Sequence, residues 1–502
     1  MATFGIDLGT TYSCISYVDG SGQPVIIKNA DGEETTPSVV HFESPHRVMV
    51  GTQAKDAAKG DASRVVSLIK RHMGSTDTVL EFDGVSYSPE GVSAFIVREL
   101  ARSAEKFTGQ PVSDVVITVP AYFGISERKA TEVAGKIAGL TVVGVVAEPV
   151  AAALYYGALA GGDRTILVYD LGGGTFDTTV IRLEGGDVTV ICTDGDHQLG
   201  GADWDERVAT HLRDRFVAEY PEAGAADSED FLQSLGLIAE GTKKALSVRT
   251  SRRQPIQFEG KKMLADLSRA TFEELTTDLI DRTVEITRRT LRTAEEMGAR
   301  RPETVLLVGG STLMPAVATA LRAAFGFEPR LHDPHLAVAK GAALYAMQVA
   351  TEKPSRKVTI VVPRAFGTSV VAEGTQPEEG KLEISHLLFA NTPLPAGPVK
   401  ERFITAFPDQ TGIEIDVWEQ AGTEVSRRPE DNKKIGAGEI IRLPRLPKGS
   451  PIDITFAMDE TGLLTVDAVE LVTGQRERIE VQIGGLDDRQ IDEAREAVAR
   501  LS

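Results

Sequence analysis

Phe4-Gly5-Ile6-Asp7-Leu8-Gly9-Thr10-Thr11 and Val168-Tyr169-Asp170-Leu171-Gly172-Gly173-Gly174-Thr175 read as one device used twice. In each, an apolar strand delivers a carboxylate to its end, glycines permit a tight turn, and a threonine hydroxyl follows. Backbone N–H groups in such a turn can approach phosphate oxygens closely, because no Cβ intervenes. A single copy would favour an ordinary glycine-turn hairpin. Two copies with Asp at the same place, a domain's length apart, point instead to two related lobes that share one polyphosphate.

The chain has 502 residues, enough for two to four domains with large cores. Its 54 Lys and Arg against 73 Asp and Glu give a formal net charge of −19, a field that repels nucleic acid and anionic membrane. Cys14 and Cys192 have neither a zinc nor a CxxC spacing, which fits a reducing cytoplasm. The first residues enter a strand directly, and apolar runs stay well short of the roughly 18 residues of a membrane span.

Residues 1–50 alternate short strand runs with Gly, Asp and Pro turns and predict an antiparallel meander. Helix 91–107, strand Asp114–Val119, a helix through Ala138 and strand Val142–Val146 follow, and Glu148-Pro149 opens an Ala-rich helix. Glu148 then stands at a sheet's edge, where it could face a ligand or simply complement the helix dipole. Helices are expected at 228–247 and 271–297, the second with Thr271 and Glu274 as a capping box. Strand Val305–Val308 runs into Gly309-Gly310-Ser311, a plausible nucleotide seat. After Thr351 long helices vanish and prolines become frequent, which marks a linker and then a β-sandwich. A charged helix, Asp487–Leu501, follows the β-rich part. Ser67-x-x-Lys70 lacks the further elements of a penicillin-binding site, and Gly374–Leu382 has the wrong length and no Ser or Thr for a Walker A loop, so both are set aside.

Gly5–Thr11, Ile69-Lys70-Arg71, Val119-Pro120-Ala121-Tyr122-Phe123, Glu148-Pro149, Asp170–Asp177, Gly195–Asp205 and Leu307–Thr312 together resemble the 70-kDa heat-shock (DnaK-like) chaperones, in the family's order. Leu387–Pro395, Asp431-Asn432-Lys433 and Thr455–Val466 extend the likeness more loosely. The resemblance implies an α/β actin-like two-lobed ATPase domain at 1–350, a linker at 351–362, an all-β sandwich substrate domain at 363–485 and a short C-terminal helix at 486–502. It also implies ATP or ADP with Mg²⁺, and peptide binding switched by ATP hydrolysis.

Residue by residue, the likeness gives Asp7 and Asp170 to Mg²⁺ through its waters, with Asp177 helping to bind a monovalent cation such as K⁺. Lys70, Glu148, Asp170 and Thr175 are the implied catalytic set. Thr10, Thr11 and the backbone of Gly172, Gly173 and Gly174 would hold phosphates, Glu240, Lys243, Lys244, Ser247, Gly309, Gly310 and Ser311 would hold the adenosine, and Gly9, Tyr12, Gly200 and Gly201 complete the implied nucleotide-binding set. Lys244 replaces the Arg of many members. Pro120 and Arg128 match the relay between ATP and peptide sites, and Ile384, Phe403, Ala406, Ile413 and Ile415 match the peptide groove. Alternating apolar residues suit a sandwich core equally well.

Three departures accompany the likeness. Lys357–Val362 lacks the family's linker acids, Gly144 stands where an Arg commonly docks the J-domain co-chaperone, and a single helix takes the place of a helical lid. Implied partners are therefore exposed hydrophobic segments and a nucleotide-exchange factor, with a weakened case for a J-domain protein. The alternative is a nucleotide-switched scaffold for one dedicated partner.

Overall fold

The structure is a computed structural model and describes residues 3–75, 77–160, 162–351, 356–376, 379–422, 424–479, 481 and 486–501. Two six-stranded sheets organise its first two thirds. In the first, strand Phe4–Asp7 pairs antiparallel with Tyr12–Val18 and parallel with Asp114–Val119, which pairs parallel with Thr141–Ala147. In the second, Arg164–Leu171 pairs antiparallel with Phe176–Glu184 and parallel with Thr304–Val308, which pairs parallel with Pro329–Leu331. The two sheets thus repeat one topology, and the hairpins that opened the sequence hold the same place in each. The expected antiparallel meander is present as Phe4–Asp7, Tyr12–Val18 and Pro24–Ile27, but it belongs to a larger mixed sheet: the first strand's second neighbour comes from beyond residue 110, and local alternation carries no signal of a partner so distant.

Two helices, Glu148–Ala160 and Ala337–Val349, cross between the sheets, and their small residues allow close contact. Gly341 faces Ala151 so tightly that a Cβ would lie 1.8 Å from the Ala151 carbonyl oxygen. Trp204, Phe216 and Phe176 fill the second lobe's core, and Phe4, Phe42 and Phe95 the first's.

The expected helix 271–297 is two helices, Arg269–Leu275 and Thr277–Glu296. Ser268 is the N-cap, its Oγ accepting from Thr271 N at 3.0 Å, so the Thr271/Glu274 capping box is not formed. Between the two, Thr276 leaves helical geometry at φ −124° and donates its hydroxyl to the Phe272 carbonyl, the local competition that Thr brings to helices.

Of the expected linker, 352–355 lie outside the described residues; Val358–Thr359 adds to the second sheet, parallel to Val188–Thr189. The β-sandwich stacks Leu382–Leu388, Phe366–Val371, Ile413–Gln420 and Asn432–Ile440 on Ala396–Ile404, Pro451–Met458, Leu464–Glu470 and Arg476–Ile479. Its core includes Phe366, Val417, Phe456 and Val466, and Ile125 of the ATPase-like region packs into it. The sandwich is therefore seated on the first lobe, with Asn391 exchanging two hydrogen bonds with the Thr193 backbone of the second.

Helix Asp488–Leu501 lies on the first lobe. Ile491, Ala494, Val498 and Leu501 recur at helical spacing, and Val498 is buried in that lobe's core. Val498→Asp is expected to release this helix, with a loss of about 1–2 kcal/mol for the apolar area returned to water. Faster tryptic cleavage at Arg489 and Arg495 in limited proteolysis checks it.

Candidate nucleotide site

Because the two sheets are related, their hairpins meet face to face. A Cβ on Gly173 would fall 2.0 Å from Thr11 Oγ1, and one on Gly174 2.3 Å from Thr10 Cγ2, so only glycine lets the turns interlock. Between them opens a cleft of about 1260 Å³, room for a nucleotide with its metal and water. Of the phosphate, adenosine, metal and catalytic residues expected from sequence, all line this cleft except Gly174, Asp177 and Gly200, which stand just behind its wall.

At the cleft floor Asp7 and Asp170 occupy matching strand ends. Asp7 lies across its hairpin from Cys14, and Asp170 across its own from Asp177. Lys70, from the short helical turn Ile69–His72, donates to Glu148 Oε1 at 2.5 Å, and both are buried. One lysine therefore faces Asp7, Glu148, Asp170 and Asp177. Burial, and then repulsion from Glu148, pushes the Asp7 carboxyl up to about 7. Asp170 is raised well above the carboxylate range by burial and then by Glu148, Asp177 and Asp7. Asp177 is raised too, by burial and then Glu148, although its Oδ2 accepts from Ala121 N.

Carboxylates held so far from their ordinary ionisation signal a place built for a positive charge. Asp177 Oδ1 is buried with no hydrogen-bond partner, a further acceptor in want of a cation. Among the described residues no three acids converge tightly enough to ligate a bare ion. The set fits an ion that keeps its water shell, as Mg²⁺ does. Asp7 and Asp170 are the residues that would hold it through its waters.

The other end of the cleft is a polar box. Lys243 donates to the Gly201 carbonyl at 2.6 Å and to Asp205 at 2.8 Å, and Ser311 Oγ donates to the Gly172 carbonyl. Tyr12 OH donates to Glu240 Oε1 at 2.9 Å, while Lys244 pairs with Glu240 at 2.7 Å. Burial favours the neutral acid at Glu240, but Lys55 and Lys244 outweigh it and hold the carboxyl down at about 2.

Sequence reasoning missed Lys55 and the role of Arg71. Lys55, from the first lobe, forms an ion pair with Glu240 of the second and closes the cleft mouth. Arg71 reaches across the floor, Nε donating to the Gly174 carbonyl at 2.9 Å and Nη2 to Asp203 at 2.6 Å. Neither belongs to a local pattern, since each partner is more than 100 residues away.

Pro120 and Arg128, the residues matched to a relay, sit behind the floor. Pro120 is buried at the start of a short loop, and Arg128 donates to the Phe123 carbonyl at 2.9 Å. In the sandwich, Ile384, Ile413 and Ile415 are buried, the last two in the sandwich's own core, whereas Phe403 and Ala406 are half-buried. Ile404 and Phe407 beside them are exposed.

A split cleft between repeated lobes, joined to a β-sandwich, defines a nucleotide-dependent two-domain machine of actin-like architecture. The Hsp70 protein family profile matches residues 3–80 and 76–500, and the chain belongs to the Hsp70 family. It is 38% identical over 511 aligned positions to the chaperone protein DnaK of Halobacterium salinarum, covering 98% of this chain and 77% of that protein. No helix among the described residues is long and apolar enough to cross a membrane.

Proposed function

We propose that the chain is an ATP-dependent chaperone that hydrolyses ATP in the inter-lobe cleft and uses the cycle to bind and release exposed hydrophobic peptide segments. The observation that carries this reading is the buried Lys70–Glu148 pair set among Asp7, Asp170 and Asp177 between two interlocked phosphate turns. Phosphoryl transfer asks mainly for positioning and charge neutralisation, which is what such a set provides. Asp7 and Asp170 would hold Mg²⁺ through its waters, and the ion would supply positive charge against the phosphates. Lys70 Nζ places a positive charge beside the terminal phosphate, and Glu148 and Thr175 orient the attacking water. Asp177 and K⁺ would form a second cation position. Glu240, Lys243, Lys244, Ser247 and Gly309–Ser311 hold the adenosine.

For the peptide, strand Ala396–Ile404 is the end strand of its sheet among the described residues, the position that strand addition uses. Phe403, Ala406, Ile404 and Phe407 supply apolar surface near its end. The negative charge and family membership suit a cytoplasmic protein with a nucleotide-exchange factor as partner, and membership favours the chaperone over a single-partner scaffold. Release of a fluorescent, unstructured hydrophobic peptide is expected to speed up about tenfold or more with ATP relative to ADP. Identical rates with ATP and ADP would overturn the reading.

A further inference from the structure

The loop Pro120–Gly124 is gripped from two directions. On its inner side, Asp177 Oδ2 accepts from Ala121 N and the Phe123 ring lies 5.8 Å from Lys70 Nζ. On its outer side, Arg364, just beyond the strand that joins the two domains, donates from Nε to the Tyr122 carbonyl at 3.1 Å. The same guanidinium pairs with Glu127 at 2.9 Å and stands 4.0 Å from Glu419 of the sandwich. Glu419 is fully buried and its Oε1 accepts from Ile125 N at 3.1 Å. Its seat exists only because residue 124 is glycine: a Cβ there would lie 2.2 Å from Glu419 Oε1, at an ordinary φ of −74°.

Two carboxylates thus share one guanidinium, and it is spent on Glu127. Glu419 Oε2 is left buried with no hydrogen-bond partner. An ionised carboxylate in that position is expensive, and a neutral acid is not. We propose that Arg364, Glu127 and Glu419 form a buried latch that seats the sandwich on the loop behind the ATP site, and that closing the latch takes up one proton on Glu419. Arg364 and Glu419 are then positioning residues that act on Asp177 and Lys70 through the loop. This rests on the proposed coupling of ATP and peptide sites.

The charged groups facing Glu419 are Arg364 on the joining segment, Glu127 and Arg128 on helix Ile125–Ile137, and Lys433 on the neighbouring strand. Burial raises the Glu419 carboxyl to about 7, and Arg364 only partly opposes it. Exposed by undocking, the group returns to the ordinary range near 4.5. Between those values the docked form holds the extra proton, so docking is strongest at the acid end and weakens as pH rises through about 7.

The test is small-angle X-ray scattering of the whole chain from pH 5.5 to 8.5, with and without Mg-ATP, with binding of a fluorescent ATP analogue measured in the same samples. The undocked-to-docked ratio of the wild type is expected to rise about tenfold or more across this range. Glu419→Gln keeps the shape without the charge and should stay docked throughout, with no pH slope. Gly124→Ala should expel Glu419, undock at every pH and abolish ATP-stimulated peptide release. A wild-type ratio that is flat with pH, a slope that survives in Glu419→Gln, or a docked Gly124→Ala would each overturn the latch. Failure of the ATP analogue to bind would sink the ATP reading alone, because the slope is also read without nucleotide.

Discussion

Lys70→Ala is expected to slow ATP turnover by about 10²–10³-fold, the usual loss when one preorganised charge is removed from a phosphoryl or acyl transition state. The lysine is buried and, among the described residues, Glu148 is the one it pairs with. Without it Asp7 and Asp170, already raised by burial, lose a charge that lowers both, and Asp7, Glu148, Asp170 and Asp177 lose the lysine set among them where anionic phosphate must sit. Nucleotide affinity should change far less, because Lys243, Ser311 and the Tyr12–Glu240–Lys244 box at the other end do not touch Lys70. Single-turnover hydrolysis beside equilibrium binding of an ATP analogue separates the two. Turnover within tenfold of the wild type would remove Lys70 from the mechanism. A combined loss of binding and turnover would assign it to ground-state affinity instead.

The cleft was readable in the sequence because its parts are local. An apolar run, an Asp, a glycine turn and a Thr fit within eight residues, and the duplicated pattern tells that two such parts belong together. What joins the parts was not readable. Lys55, Arg71 and Arg364 act on partners in another lobe or domain, and a surface-like Lys or Arg carries no local mark of such a partner. Strand alternation has a similar limit: a period of two says that Ile413 and Ile415 share a face, but not whether that face looks inward or at a peptide. The structure turns both inward, where they pack with Val417 and Phe456. The capping box failed for a related reason. Thr271 and Glu274 have the right spacing, but hairpin Ser251–Ser268, absent from the sequence reading, ends on a better cap, Ser268.

The crossing of helices Glu148–Ala160 and Ala337–Val349 carries the second large effect. Gly341→Ala is expected to cost about 3 kcal/mol of stability and to lower ATP turnover by about 10²-fold or more. The added methyl would stand 1.8 Å from the Ala151 oxygen and 2.3 Å from its carbonyl carbon, both backbone atoms with no rotamer to escape into. Nor can the second helix retreat, because a Cβ on Gly5 would lie only 2.2 Å from Ala343 N, which shows how closely strand Phe4–Asp7 backs it. Strand Phe4–Asp7 ends in Asp7, and the other helix begins with Glu148, so any separation of this stack pulls apart two of the carboxylates that face Lys70. Gly91→Ala is the matched control: its methyl would meet only Ser88 Oγ at 3.7 Å, within a helix, and should leave turnover unchanged while raising stability by about 0.5–1 kcal/mol. Thermal melting with single-turnover kinetics distinguishes the cases. Retained turnover at full stability in Gly341→Ala would mean that the two lobes tolerate a looser crossing, and that the Lys70–Glu148 geometry is set within the first lobe alone.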